Sequence, residues 1–279
     1  MKASELVLAP NGSLYHIRLD SSTLADKVLL VGNPTRVDLF KNIFDSIEFE
    51  NQYRELRALT GRYHGTRMTV LSTGMGCDNI DIVMTELDAA LRVENGEWKE
   101  QSDRRLQVVR IGTSGSLQAD VDCGSHVASA YAIGLDGLMN YYREWETRLP
   151  EMEERFVRHL SPDIRMARPY CVKGSEMLLN KIGGGMHHGI TATAPGFYGP
   201  QGRTIRLHPA IEDVNEKLSS FGVTNFEMET SAIYGFSQML GHEALTVCLI
   251  IANRAKGTFL NEYYEPMREL VGTVMERFI

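Results

Sequence analysis

A three-layer α/β/α sandwich around a mixed central sheet is the fold this sequence predicts. Short apolar runs that read as buried strands alternate with longer segments whose apolar residues recur at helical spacing. Gly-bounded turns connect them, and no linker, low-complexity tract or internal repeat divides the 279 residues. A chain of this length, 43% hydrophobic and 23% charged, can bury a sizeable core, so residues 1–279 read as one domain.

The first strand is Lys27-Val28-Leu29-Leu30-Val31, which runs into Gly32-Asn33-Pro34-Thr35-Arg36. The pattern predicts a Gly turn and a helix start capped by Asn33, with Pro34 in the first turn. Such a turn leaves N–H groups free for an anion, and Arg36 adds a planar donor fork. The same turn also occurs in α/β folds without a ligand. Residues 53–59 and 67–72 flank Gly61-Arg62-Tyr63-His64-Gly65 and predict a hairpin. Thr73-Gly74-Met75-Gly76 turns into a helix over 78–91, with Ile80, Val83, Met84, Leu87, Ala90 and Leu91 on one face. Residues 93–105 read as a polar surface loop.

Leu106–Ile111 predicts another strand, ending at Gly112-Thr113-Ser114-Gly115-Ser116. Arg110 is costly to bury unpaired. Near a strand's carboxyl end it would face the crevice where open α/β sheets bind ligands, with Thr113 and two glycines supplying further donors. Residues 136–169 depart in character: they are charged, rich in Arg and Glu, with Met152, Phe156 and Leu160 at helical spacing. They read as an insertion holding a helix, at the surface or a subunit contact, without chemistry.

A strand over 188–193 leads into a loop, 194–203, dense in Gly and Pro and carrying Phe197, Tyr198, Gln201 and Arg203. An aromatic plane with amide and guanidinium donors suits a planar heterocycle with carbonyls. An ordinary turn cluster fits the same residues. A helix over 211–221 follows, then Asn225-Phe226-Glu227-Met228-Glu229-Thr230-Ser231-Ala232. Residues two apart in an extended segment share a face, so Glu227 and Glu229 point one way and need partners. Adjacent sugar hydroxyls could both donate to such a carboxylate. The plainer alternative is a strand end with Glu229 in the first turn of the next helix. That helix carries Ala232, Ile233, Phe236 and Leu240. Residues 244–252 form a buried strand ending at Asn253-Arg254, and 267–278 an amphipathic packing helix.

Composition narrows the function. A net charge of −7 disfavours a general nucleic-acid surface. The longest apolar run, 244–252, is far below membrane-spanning length. The N-terminal apolar run is too short for a signal peptide and follows Glu5. Cys77, Cys123, Cys171 and Cys248 show no metal or redox spacing and read as free thiols in a reducing compartment, so the protein is expected in the cytoplasm. His187 and His188 would face opposite sides of a strand, which disfavours a shared metal. No GxGxxG follows the first strand, which argues against a dinucleotide site.

Five motifs together carry a resemblance: Gly32-Asn33-Pro34-Thr35-Arg36, Ser72-Thr73-Gly74-Met75-Gly76, Arg110-Ile111-Gly112-Thr113-Ser114-Gly115, Phe197-Tyr198-Gly199-Pro200-Gln201-Gly202-Arg203 and Phe226-Glu227-Met228-Glu229. In this order, along nearly the whole chain, they resemble the nucleoside phosphorylase superfamily and, within it, the uridine phosphorylase family. The resemblance implies a nucleoside phosphorylase-like fold. It also implies a pentosyltransferase reaction of pyrimidine salvage, in which uridine and phosphate give uracil and ribose 1-phosphate. Inorganic phosphate is then a co-substrate, and no cofactor is expected.

Carried over by position, Gly32, Arg36, Arg110 and Thr113 would hold phosphate. Arg54 would reach it from a neighbouring subunit, and His16 would likewise reach the ribose end. Glu227, Met228 and Glu229 would hold the ribose. Phe197, Gln201 and Arg203 would hold the base, with Arg254 orienting the base loop or serving in a structural ion pair. Arg36, Arg110, Arg203 and Glu229 would carry the catalysis. Glu55 matches a position that, in some members, binds a monovalent cation such as potassium between subunits. Sharing of this kind implies a homo-oligomer, a dimer or a hexamer. Purine-specific relatives carry Ser-Asp after the last long strand, and the Asp protonates the purine; here Ala252-Asn253-Arg254 stands instead, which favours a pyrimidine. The competing expectations are a purine or other nucleoside phosphorylase, a nucleosidase using water (such relatives lack the arginine set), and a non-catalytic nucleoside-binding protein on the same fold.

Overall fold

A computed structural model describes residues 2, 4–99, 102–143, 145–161, 166–211 and 213–279. The first strand is β1 (Lys27–Val31), whose four apolar residues are buried between parallel neighbours on both edges. A strand covered on both faces reads as a continuous apolar run. Asn33 caps the next turn, its Oδ1 accepting from Thr35 N at 2.9 Å, and α1 (Val37–Lys41) follows. Then come β2 (Ser46–Tyr53), β3 (Leu56–Tyr63) and β4 (Thr66–Ser72), an antiparallel meander. The β3–β4 hairpin turns on His64 and Gly65 alone, both at positive φ (46° and 77°), as a tight two-residue hairpin requires. Gly61 lies within β3, so the connection is shorter than the sequence suggested.

The helix α2 (Cys77–Ala90) buries all the face read from its periodicity. Residues 93–105 include a small hairpin, β5 (Val93–Glu94) and β6 (Glu97–Trp98); residues 100 and 101 lie outside the described residues. Next are β7 (Gln107–Ser116) and β8 (His126–Gly134). Within the 136–169 stretch, α3 (Pro150–Leu160) buries Phe156 and Leu160, and Met139 is buried too, so this segment belongs in part to the core. Residues 144 and 162–165 lie outside the described residues.

The remaining elements are β9 (Tyr170–Lys173), α4 (Glu176–Ile182), β10 (His187–Thr193), α5 (Val214–Phe221), β11 (Val223–Glu227), α6 (Thr230–Leu240), β12 (Glu243–Asn253), β13 (Thr258–Phe259) and α7 (Tyr264–Phe278). The helix expected over 211–221 starts at Val214, and residue 212 is outside the described residues.

Eleven strands form one mixed sheet. Alternate β1 residues feed opposite cores: Val28 and Leu30 pack with α2 and α6, Leu29 and Val31 with α1, α4 and α7. That is the helix–sheet–helix layering. The sheet also curls. β7 pairs in parallel with β1 and β12, and its last residues pair antiparallel with β11. β12 pairs with β8, β8 with β10, and β10 with β11, so β7, β12, β8, β10 and β11 close into a ring. Residues 112–116, the expected end of the strand, are therefore the second half of a long strand. An irregularity between Ile250 and Ala252 brings Ala252 and Asn253 opposite Gly115 and Ser116, where the ring begins to close.

Candidate active site

A cavity of about 900 Å³ opens where β1, β4, β7, β11 and β12 end or bend, the usual ligand crevice of open α/β sheets. Gly32 and Arg36 come from the turn after β1, Glu55 from the β2–β3 turn, Arg110 and Thr113 from β7, and Glu227, Met228 and Glu229 from the end of β11. Phe197, Gln201 and Arg203 come from the loop after β10, and Arg254 from the end of β12. Asn215, at the start of α5, also lines it, though no sequence signal singled it out. Twelve of the fourteen residues considered from sequence thus share one cavity, drawn from six segments; His16 and Arg54 do not line it.

Arg110 is the electrostatic centre. Its Nη1 lies 3.3 Å from Glu227 Oε2, and its Nη2 donates to Glu229. Burial alone would lower the guanidinium's pKa, but the two carboxylates outweigh that and hold it well above the ordinary value. Glu229 moves upward: burial dominates and Glu227 adds repulsion, against the pull of Arg110 and the Gly76 N–H. Each carboxylate has further partners. Glu227 accepts from Thr193 Oγ1 at 2.6 Å and from the N–H groups of Glu229 and Thr230 at the start of α6. Glu229 accepts from Gly76 N at 2.7 Å. The like charges two positions apart are thus tolerated through a buried arginine and helix-terminal N–H groups.

Gly112 makes the Arg110 position available. A Cβ there would stand 2.1 Å from Arg110 Nη1, because the guanidinium folds back over its own strand. The glycines of this motif serve side-chain room. Cys248, from β12, touches Arg110 Nη1 at 3.5 Å; burial pushes its thiol up to about 11. Arg36 is partly buried, which lowers its pKa, with Tyr263 beside it acting the other way.

At the other end, Gln201 is held by two guanidiniums. Arg203 Nη1 donates to its Oε1 at 2.8 Å, and Arg254 Nη2 donates to the same oxygen. Arg254 Nη1 also donates to the Gln201 carbonyl (2.7 Å) and to Asn215 Oδ1 (3.1 Å). Arg254 therefore ties the 194–203 loop to the end of β12, and its contacts are to amides. Burial, then repulsion by Arg203, lowers Arg254 to about 10, which leaves it charged at neutral pH. Arg203 stacks over Phe197, 3.9 Å from the ring centroid. With its oxygen taken by two arginines, Gln201 keeps its NH2 for another acceptor.

His16 and Arg54 sit together elsewhere. The hydroxyls of Tyr15 and Tyr53 are 2.9 Å apart and join the two segments. Arg54 is exposed, at φ 55°, and stacks on Tyr53. His16 Nδ1 lies 2.5 Å from Glu86 Oε1. Glu55 is held by Asn79 Nδ2 at 3.2 Å, and among the described residues no group of three or more His, Cys, Asp or Glu could hold a metal ion. His187 and His188 are both exposed, and His188 Nε2 meets the Gly183 carbonyl. Beyond the 194–203 loop a second cavity, about 940 Å³, is lined mainly by apolar residues such as Leu135, Ile205, Leu207 and Ile211; apart from Arg203 it contains none of the fourteen.

The chain has measurable relatives. It is 30% identical to a Trypanosoma brucei nucleoside phosphorylase described as showing uridine phosphorylase activity; the alignment covers 98% of this chain and 99% of that one, with a TM-score of 0.86. It is 29% identical over 251 residues to the uridine phosphorylase of Thermococcus kodakarensis, covering 89% of this chain and 80% of that protein. It is 27% identical over 267 residues to the DeoD-type purine nucleoside phosphorylase of Geobacillus stearothermophilus, covering 95% and 98%. The model of the phosphorylase superfamily matches residues 26–278, and the chain belongs to that superfamily.

Proposed function

We propose that the protein catalyses the reversible phosphorolysis of uridine to uracil and ribose 1-phosphate. The observation that carries the choice of base is the double clamp on Gln201 beside a strand end that reads Ala252-Asn253-Arg254. The cavity's carboxylates are Glu55, Glu227 and Glu229, none of them in the base loop. A departing purine calls for an acid at its ring nitrogen. A departing uracil takes the bond electrons onto its carbonyl oxygens, where a guanidinium and an amide NH2 suffice.

The reaction breaks the bond between C1′ and the base nitrogen and forms one from C1′ to a phosphate oxygen. Gly32, Arg36, Arg110 and Thr113 bind phosphate below the sugar. Glu227 and Glu229 accept from the ribose hydroxyls, and their negative charge faces a sugar that becomes cationic as the bond breaks. Arg110 joins the two halves, because the same guanidinium holds both carboxylates and reaches the phosphate. Arg203 and Gln201 meet the negative charge growing on uracil; losing one such donor costs about 3–4 kcal/mol of barrier.

His16 and Arg54 complete a neighbouring copy's site on this proposal, supported by their joint position on one surface away from their own cavity. The active form is then at least a dimer. Glu55 supplies a single carboxylate per chain, so a potassium ion there would need oxygens from a second copy, and no step of the reaction runs through it. Four free cysteines support a cytoplasmic setting, and no helix among the described residues is long and apolar enough to cross a membrane.

The test is base release from uridine and from inosine, each at saturating phosphate. Rapid uracil release with inosine inert is expected. Inosine cleaved as fast as uridine would overturn the pyrimidine assignment.

A further inference from the structure

We infer that Glu86 is a positioning residue for His16 and sets the tautomer with which that ring meets the 5′ end of a nucleoside. The inference rests on the proposal above, in which His16 is lent to the site of a second copy of this chain.

Glu86 lies on the buried face of α2, 7% exposed, among Ile80, Val83, Met84 and Leu87. A carboxylate in such a place is costly unless its oxygens are fully used. Here all the partners come from one segment. Oε2 accepts from His16 N at 3.0 Å and Ile17 N at 2.9 Å, and Oε1 faces His16 Nδ1 at 2.5 Å. The backbone of the 16–17 segment and the imidazole are thus held by one anchored side chain. Tyr15 packs edge-on against the ring, 4.9 Å between centroids, and is itself tied to Tyr53.

The chemistry of the pair fixes the proton. An ionised carboxylate only accepts, so Nδ1 must be the donor. The neutral ring then carries its one hydrogen on Nδ1 and keeps a lone pair on Nε2. The His16 side chain remains 30% exposed, while the Glu86 side chain beneath it is 10% exposed. A ring held this way offers an acceptor to an incoming hydroxyl. The 5′-hydroxyl of a ribonucleoside is such a donor, and a 5′-deoxynucleoside lacks it. Glu86 touches no substrate in this arrangement and acts through His16.

Glu86→Gln separates tautomer from packing. Two backbone N–H groups converge on Oε2, so the amide oxygen takes that place and the NH2 faces Nδ1. The ring proton then moves to Nε2. The measurement is the ¹⁵N spectrum of the intact protein, with His16 identified by its loss in His16→Ala. The wild type is expected to show neutral His16 protonated on Nδ1, and Glu86→Gln to show it on Nε2. A wild-type ring protonated on Nε2 would overturn the inference, and that result needs no folded variant.

The second arm compares kcat/KM for uridine and 5′-deoxyuridine in the wild type, Glu86→Ala and His16→Ala. General damage to the fold lowers both substrates alike; lost positioning lowers only their ratio. The preference for uridine is expected to fall about tenfold in both variants, the weight of one hydrogen bond. If His16→Ala loses the preference and Glu86→Ala keeps it, Glu86 does not position the ring. If His16→Ala keeps it, the placement of His16 at the ribose fails, and this inference with it.

Discussion

Replacing Gly112 with alanine puts one methyl group into the space that the Arg110 guanidinium occupies. The added Cβ would stand 2.1 Å from Nη1, 2.7 Å from Cζ and 2.9 Å from Nη2. Non-bonded heavy atoms settle about 3.5 Å apart, so the guanidinium must retreat by more than 1 Å. It has little freedom to do so, being buried and held by two carboxylates. A displacement of that size disturbs the 3.3 Å contact with Glu227 and the pairing with Glu229. Gly112 is not at positive φ, so the backbone itself tolerates alanine and the effect is one of space. Overpacking of this kind costs about 1–3 kcal/mol of stability, a shift of several degrees in Tm for a chain of this size. A catalytic group misplaced by about 1 Å costs on the order of 100-fold in rate. The assay is kcat and KM for phosphate and uridine, with a melting curve beside them. Gly115→Ala is the control: its Cβ would come only to 3.2 Å of Arg254 Nε, and a smaller loss is expected. Wild-type kinetics and Tm in Gly112→Ala would refute the claim that Arg110 needs this seat.

Three further outcomes are expected. Arg254→Met frees one side of the Gln201 oxygen, so uridine turnover should fall about tenfold or more with only a small change in Tm; unchanged steady-state rates would remove Arg254 from base orientation. Asp136, held by Tyr170, Ser231 and Leu138 N, is raised by burial above its ordinary 3.8. Its proton is bound more tightly in the folded state, so stability falls as pH rises from that ordinary value through the raised one. Asp136→Asn should flatten the Tm–pH profile over that interval; an identical slope would contradict the assignment. Finally, Arg54→Ala and Arg36→Ala should each be nearly inactive alone, yet regain activity when co-refolded, because one site of the mixed pair is then intact. No recovery, with mixed oligomers shown to form, would end the case for a shared site.

Local periodicity carried much of the fold. The buried faces of α2 and α7 are legible because apolar residues recur on one side of each helix, and β1 because four consecutive residues of it are apolar. The misreading of 112–116 has a physical source. Glycines in that motif read as the end of a strand, but Gly112 makes room for Arg110 and Gly115 lies under Arg254. Closure of the ring depends on β7 pairing with β12 and β11, more than 100 residues away, and on a register shift near Ile251, neither of which leaves a local trace. The same distance hid the partners. Glu227 and Glu229 were read as needing a companion, and Arg110 as needing an anion, but nothing local says that they satisfy one another. Glu86 carries no motif, and its value comes from His16, 70 positions upstream. Asn215 and Cys248 carry no motif; each matters only by touching an arginine.

The most direct test of the account is a ³¹P NMR record of uridine incubated with inorganic phosphate, with uracil measured in parallel. A sugar 1-phosphate signal that grows one-for-one with uracil, and no uracil when phosphate is left out, is the predicted result. Uracil released without any phosphate ester would make water the nucleophile and contradict the roles given to Arg36 and Arg110.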